Sequence, residues 1–370
     1  MRQMILRIAI YLTLFTVASV QALPLNQLQV IGSHNSYKKA LEPDVANQLD
    51  KIQAGFADKI SYAHPSLTRQ LDMGLRQLEI DVLADSQGGL YKQPLAQQWT
   101  NKPLYSATEK QQLAKPGFKV LHIPDVDIAS HCIQFTDCLA ELKTWSLNNP
   151  NHLPVYVMFN VKESHWSKIN GVKPEQFTAQ HYQQLNQVIV EQLGLDKLLT
   201  PSLVQQQNLS LAQSVKQFGW PDIEQVRGKF IFIFDGNPQQ LELFEQAGDI
   251  VIFGAFAIEH HQAAILLYNN PQQQAEQIKH AVAQGFIVRT RADEFNAKQS
   301  PNQRALAAIN SGAQIISSDF YLGAMQQPIK APAVSFHLLM PELQPKQTQA
   351  QTALPFVRCL PEVGVNQCNF

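Results

Sequence analysis

Apolar residues along this chain fall into short extended runs, separated by longer stretches in which they recur at helical spacing. Residues 28–32 read as a first strand, and GLRQLEIDVLAD at 74–85 contains a second, bounded by Gly74 and by Ser86, Gly88 and Gly89. Further runs are FKVLHI (118–123), LPVYVMFNV (153–161), GKFIFIFDG (228–236), DIVIFGAF (249–256), GFIVRT (285–290) and AQIISSDF (313–320). Between them, 176–193 sets apolar residues among Gln-rich positions, PQQQAEQIKHAVAQG (271–285) runs into a glycine stop, and PNQRALAAINSGA (301–313) repeats that arrangement. Eight mostly apolar strands interleaved with helices predict an α/β fold with a parallel sheet. In one chain of this length they suggest closure into a TIM-type (β/α)8 barrel, with an open doubly wound sheet as the alternative. The stretch from Asp85 to Lys119 carries few helix signals and reads as an inserted excursion after strand two.

The start of the chain stands outside this pattern. Arg2 and Arg7 precede the apolar run IAIYLTLFTVASV, and Ala22 closes VQA, which is the form of a cleaved secretory leader over 1–22. Residues 23–325 then hold the barrel, and 326–370 form a C-terminal extension. Without the leader the formal charge moves from −1 to −3, so a broad basic field is absent and general nucleic-acid binding is disfavoured. All four cysteines belong to the exported part, where an oxidising compartment favours disulfides. Two local bridges, Cys132 with Cys138 and Cys359 with Cys368, are the simplest pairing, although spacing alone leaves the crossed pairings open. Export leads to a secreted or periplasmic location.

The candidate chemistry gathers at strand ends. In LQVIGSHNSY, His34 and Asn35 lie just beyond strand one, where a barrel displays its catalytic loops. Glu79 and Asp81 alternate with Leu78, Ile80 and Val82, so both acids share one strand face. His122 follows the third run. Asn35, Glu79 and Asp81 are hard oxygen donors suited to Ca2+, with Mg2+ as the alternative. Two histidines can divide proton transfer, one taking a proton from an attacking hydroxyl and one donating to a leaving alkoxide. A phosphodiester fits between them. A structural role for the acids, anchoring Arg76, is the plainer alternative.

The segments IGSHNSY, GLRQLEIDV, LHIPD, LPVYVMFNVKE, FIFIFDG, VRTRAD and AQIISSDF together resemble the calcium-dependent phosphoinositide phospholipase C family of bacteria and fungi. The resemblance implies a metal-dependent enzyme that cleaves phosphatidylinositol-type lipids to diacylglycerol and a cyclic inositol phosphate. It implies catalytic roles for His34 and His122, and metal ligation by Asn35, Glu79 and Asp81. Where relatives commonly carry a carboxylate, this chain has Asn160, followed by Lys162 and Glu163. Asn160 can ligate through its amide oxygen without adding charge, and Lys162 can face phosphate.

Further residues carry weaker signals. Asp235 and Asp319 end strands and can enter the barrel mouth. Arg289 and Arg291 can meet an inositol phosphate, or pair with Asp293 or Glu294. Asp125 and Asp127 read as a polar turn outside the metal shell, His131 as a surface residue, and the pair at 260–261 lacks nearby acid spacing for a metal motif. A glycerophosphodiester phosphodiesterase is the neighbouring enzyme reading, but it would carry Arg-Gly after the first histidine, where this chain has Asn35-Ser36. A non-catalytic lipid- or sugar-binding barrel is the reading from another class. Contact with a membrane would be peripheral, at the lipid interface.

Overall fold

The computed structural model describes residues 23–248, 250–293, 301–321, 324 and 356–360. Its strands are β1 (Leu28–Ser33), β2 (Gln77–Asp85), β3 (Gly117–Lys119), β4 (Val155–Val161), β5 (Phe230–Asp235), β6 (Phe253–Gly254), β7 (Ile265–Leu267), β8 (Ile287–Arg291), β9 (Ile315–Ser318) and β10 (Val357–Cys359). Eight of these run parallel in the order β6-β5-β4-β2-β1-β9-β8-β7 and make a nearly closed TIM-type barrel. Among the described residues no ladder joins β6 to β7, so the barrel has one unpaired seam. On the opposite side, β2 meets β1 only at Gly32 and Gln77, and the antiparallel β10 covers the rest of that edge from Leu28 to Val30. Gly32 is required there, because a Cβ would stand 2.4 Å from that of Gln77.

Strand alternation divides the core into two layers. Leu78, Ile80, Val82, Val155, Val157, Phe159, Phe230, Phe232 and Phe234 point outward and pack on helices Phe135–Asn148 and Ala179–Leu193 through Phe135, Leu139, Tyr182 and Ile189. Each large side chain so buried contributes about 1.5–3 kcal/mol. Val30, Tyr156, Met158, Ile231, Ile233, Phe253, Ile265, Ile287 and Ile315 point inward and fill the lower barrel. Above them the same inward phase turns polar. Asp81, Asn160 and Asp235 stand side by side across β2, β4 and β5.

Three sequence expectations require correction. FKVLHI contributes only the short β3, which pairs antiparallel with the end of β2 and lies off the barrel. Of its apolar residues, Phe118 and Val120 join the outer core, and Leu121 packs with Leu83, Tyr91 and Leu113 in a satellite core. The missing barrel strand is β7, three residues long and too short to register as a periodic run. The excursion is also more helical than expected, with helices Leu95–Thr100 and Ala107–Leu113, the second started by a capping box between Ser106 and Glu109. The run at 249–256 is a strand only at Phe253–Gly254.

Candidate active site

The upper barrel interior holds a buried ionic lattice built from strand residues two apart. Glu79 is 2% exposed and its Oε2 accepts a 2.6 Å hydrogen bond from Arg289, which reaches across from β8. Arg289 also donates to Asn269. Asp81 Oδ2 accepts from Tyr37 Oη at 2.8 Å and pairs with Lys162 Nζ at 3.2 Å. Asn160 Nδ2 donates to Glu79 Oε1 at 3.3 Å. Burial raises the Glu79 carboxyl to about 7, although Arg289 pulls it down; desolvation exceeds the attraction even at this short distance. Burial raises Asp235 as well, against Arg289 and Lys162. Glu163 takes no part, since its carboxylate accepts from Phe177 N at 2.5 Å and from the Gln240 side chain. Arg76, likewise, donates to the Leu71 and Leu75 carbonyls rather than to these acids.

His34 stands at the mouth on the end of β1, with its side chain 18% exposed. Its Nδ1 lies 2.9 Å from Asp319 Oδ1 and its Nε2 3.7 Å from Glu79 Oε1. Asp319 is shared, because its Oδ2 accepts from Arg291 at 2.8 Å, and Asp293 accepts from the Asp319 backbone N–H at 2.9 Å. Burial first, then Arg291 and Arg289, hold the His34 imidazole well below its ordinary pKa in spite of Asp319. His34 is therefore neutral at neutral pH. Beneath it, the buried His64 contacts the His34 carbonyl through Nε2 at 2.8 Å and Tyr321 through Nδ1 at 3.2 Å.

His122 reaches the same mouth from the segment that follows the excursion and β3 rather than from a barrel strand end. The segment after β3 folds back at Ile123 and Asp127, with Asp125 left-handed at the turn (φ 72°) and its carboxylate accepting from Leu95 N and Val172 N. Asp127 Oδ2 is 2.6 Å from His122 Nδ1 and 3.0 Å from Lys38 Nζ. Burial works to raise Asp127, but Lys38 and His122 outweigh it and hold the carboxyl below its usual range. The Tyr62 ring lies between the histidines, with centroids 5.6 Å from His34 and 6.1 Å from His122. His131 is only part-exposed, its Nε2 held against the His64 carbonyl at 2.8 Å beside the Cys132–Cys138 disulfide. Cys359 ends β10; Cys368 lies outside the described residues.

Of the residues singled out from sequence, His34, Asn35, Glu79, Asp81, Asn160, Lys162, Asp235 and Arg289 converge on the upper barrel, and His122 joins them at its rim. Asp127 was legible as a local acid five residues after His122. Arg291 shares the phase of Arg289, and Asp319 ends a strand. Tyr62, His64 and Lys38 carry no sequence signal, since their place depends on how 35–66 folds over the mouth.

The oxygen donors fit a hard cation. Asn35 is left-handed (φ 48°), its Nδ2 is committed to Tyr62 at 2.6 Å, and its buried Oδ1 has no partner. Asp81 Oδ1 is likewise buried and unpartnered. Orphaned buried oxygens are costly, and a cation would satisfy both.

Comparison with known proteins points the same way. No curated protein matches the chain. Among solved structures, a calcium-dependent phosphoinositol-specific phospholipase C from the Gram-negative bacterium Pseudomonas sp., in its apo form, aligns at 16% identity over 82% of this chain and 92% of its own, with a TM-score of 0.51. The myoinositol complex of the Pseudomonas enzyme aligns at 15% identity over 81% and 91%, with the same score. At such identity the likeness establishes the barrel fold. Residues 23–340, most of the chain, match the family described as phosphoinositide phospholipase C, Ca2+-dependent, and this protein is an enzyme belonging to that family.

Proposed function

We propose that the chain cleaves phosphatidylinositol-type lipids by transferring the phosphoryl group to the neighbouring inositol hydroxyl, releasing diacylglycerol and a cyclic inositol phosphate. The observation that carries this reading is the paired geometry at the mouth. Each histidine is held through Nδ1 by a carboxylate, and a buried acid wall lies between β2 and β5. His34, kept neutral by burial and by Arg291, takes the hydroxyl proton, and Asp319 stabilises the imidazolium that forms. His122, its Nδ1 held by Asp127, donates to the diacylglycerol oxygen as the P–O bond breaks. Lys162 and Arg289 offset phosphate charge, and Asp235 orients a sugar hydroxyl. Asn35, Glu79, Asp81 and Asn160 would hold Ca2+, which supplies charge neutralisation at the phosphoryl group and a lowered pKa for the attacking hydroxyl.

We extend the proposal to export and to the domain division at 22 and 325. The Cys132–Cys138 bridge supports an oxidising compartment. No helix among the described residues is long and apolar enough to cross a membrane, which agrees with peripheral contact at the lipid surface. The test is product analysis with phosphatidylinositol, in Ca2+ and in chelator, beside His34→Ala. Calcium-dependent release of diacylglycerol and cyclic inositol phosphate, absent in the variant, is expected. Turnover of glycerophosphodiesters instead, or turnover that survives chelation, would sink the reading.

A further inference from the structure

A second histidine cluster lies away from the mouth. Helix Pro238–Gln246 follows β5 and runs back along the barrel, so Glu245 near its end stands toward the N-terminal ends of the strands. His260 and His261 occupy the link between β6 and β7, a few residues before β7 begins, and so reach the same end. Glu259 adjoins the pair in sequence, but the acid that faces both rings is Glu245, brought there by the fold. His260 Nε2 is 3.7 Å from Glu245 Oε2, and His261 Nε2 is 3.4 Å from Glu245 Oε1. One ligand atom from each of the three residues lies within 4.8 Å of the others.

These separations decide between two readings. A carboxylate that simply accepted hydrogen bonds from the rings would sit at about 2.7–3.2 Å. Two ligand atoms bound at about 2.0–2.1 Å to one tetrahedral ion stand roughly 3.3 Å apart. Both separations are longer than a hydrogen bond and each runs to a different Glu245 oxygen, so the carboxylate faces the two rings as a chelating ligand would rather than as a shared acceptor.

The cluster is also held in place. Phe256 stacks on the His260 ring at 4.1 Å and 11°, a fold-back possible because Gly254 has no Cβ, which would come within 2.4 Å of the Phe256 ring. His260 N–H donates to the Ala257 carbonyl at 2.9 Å, Ala263 N–H to the His260 carbonyl at 3.0 Å, and Ala212 N–H to the His261 carbonyl at 3.0 Å. Loading His260 through Nε2 moves its proton to Nδ1 and gives up the 3.2 Å contact from Gln262 N–H, which sets the affinity below that of a dedicated structural site.

We propose that Glu245, His260 and His261 form a transition-metal site, for Zn2+ or an ion of similar preference, separate from the oxygen-lined mouth. Two imidazoles and one carboxylate select zinc-like ions, whereas Ca2+ requires an oxygen shell. The ion fastens the β6–β7 link, which spans the unpaired seam, to the helix after β5. The fourth position is open to water, because His261 is 62% exposed.

The experiment titrates Co2+ into the full chain in excess Ca2+ and follows visible absorption and stoichiometry, with Zn2+ displacement and thermal unfolding alongside. One Co2+ per chain is expected, with the strong bands of tetrahedral coordination, and Zn2+ should raise the unfolding temperature. His261→Ala and Glu245→Gln, both at partly exposed positions, should lower Co2+ affinity at least 10–100-fold, the loss that even outer partners of a metal site cause. The rise with Zn2+ should vanish in both. No uptake by the wild-type chain, or less than a tenfold change in the variants, would overturn the proposal.

Discussion

The two histidines of the mouth are built on the same plan from different materials. In each nest one aspartate is shared between an imidazole Nδ1 and a permanent cation: Asp319 between His34 and Arg291, Asp127 between His122 and Lys38. The His34 nest comes from the ends of β1, β8 and β9, elements locked by ladder hydrogen bonds. The His122 nest comes from the segment after β3, with only Lys38 drawn from the segment following β1, and its carboxylate lies five residues from the histidine. The first nest depends on global closure of the barrel, the second on a local turn and its anchors. On the proposed mechanism, strand-end rigidity suits the histidine that must find one hydroxyl, and a loop-borne histidine suits a leaving group of variable position.

Breaking either nest at its centre should have the largest effect. His34→Ala and His122→Ala are each expected to lower turnover by about 10²–10⁴-fold, the usual contribution of a positioned acid or base. On the proposed mechanism the two act in one proton relay, so the double variant should be scarcely worse than either single one. Single-turnover kinetics on the three variants checks this; losses that multiply would separate the roles. Asp127→Asn should cost more than Asp319→Asn, since Asp127 holds its histidine at 2.6 Å and Asp319 at 2.9 Å.

The acid wall between the nests gives the next effect, on stability. Burial moves Glu79 from its ordinary 4.5 to about 7, so the metal-free folded state binds a proton that the unfolded chain has released. Stability from this group is complete below about pH 4.5 and declines as pH rises through about 7, on the order of 3 kcal/mol in all. In chelator, Glu79→Gln should therefore be more stable than wild type above pH 7 and similar near pH 4.5. Urea unfolding of both proteins at several pH values measures it, and a wild-type protein that gains stability relative to Glu79→Gln across this window would contradict the assignment. Calcium affinity should rise through the same window as the proton is displaced.

A smaller effect tests the local character of the second nest. The Cys132–Cys138 bridge closes a short loop at the end of the segment carrying His122 and Asp127. Chain entropy puts its contribution at about 2 kcal/mol. Cys132→Ser with Cys138→Ser should lower unfolding stability by that amount and weaken turnover at the His122 step. His34 should keep its pH response, because the charged partners of its ring, Asp319 and Arg291, come from the ends of β9 and β8, and the bridge reaches it only through His131 and His64.

The same contrast explains what the sequence could show. Strand alternation exposed Glu79 and Asp81, because period two is written into neighbouring residues. The barrel followed from the apolar runs, yet FKVLHI was given a place in it that β7 holds, since a three-residue strand has no period to detect. Asp319 lies 285 positions from His34, so their pairing depends on closure. Tyr62, His64 and Lys38 were silent for a related reason: the stretch between β1 and β2 folds over the mouth through side-chain contacts, such as His64 with Tyr321, that no local pattern encodes.

The last and smallest effect concerns Arg291, which bears on His34 in two opposed ways. Its charge follows burial among the causes that lower the His34 pKa, and its hydrogen bond at 2.8 Å keeps Asp319 beside the ring. Arg291→Gln removes the charge and can retain a hydrogen bond to Asp319. With the guanidinium gone, the attraction of Asp319 for a protonated His34 is less offset, so the imidazole pKa rises. A general base must be unprotonated, so the acidic limb of the turnover profile should move to higher pH, with little change on the plateau. The same substitution leaves the His122 nest intact, because Lys38 balances Asp127 there. An acidic limb that stays in place while the plateau falls would show that Arg291 positions Asp319 and does not tune His34, and would move the difference between the nests from electrostatics to geometry.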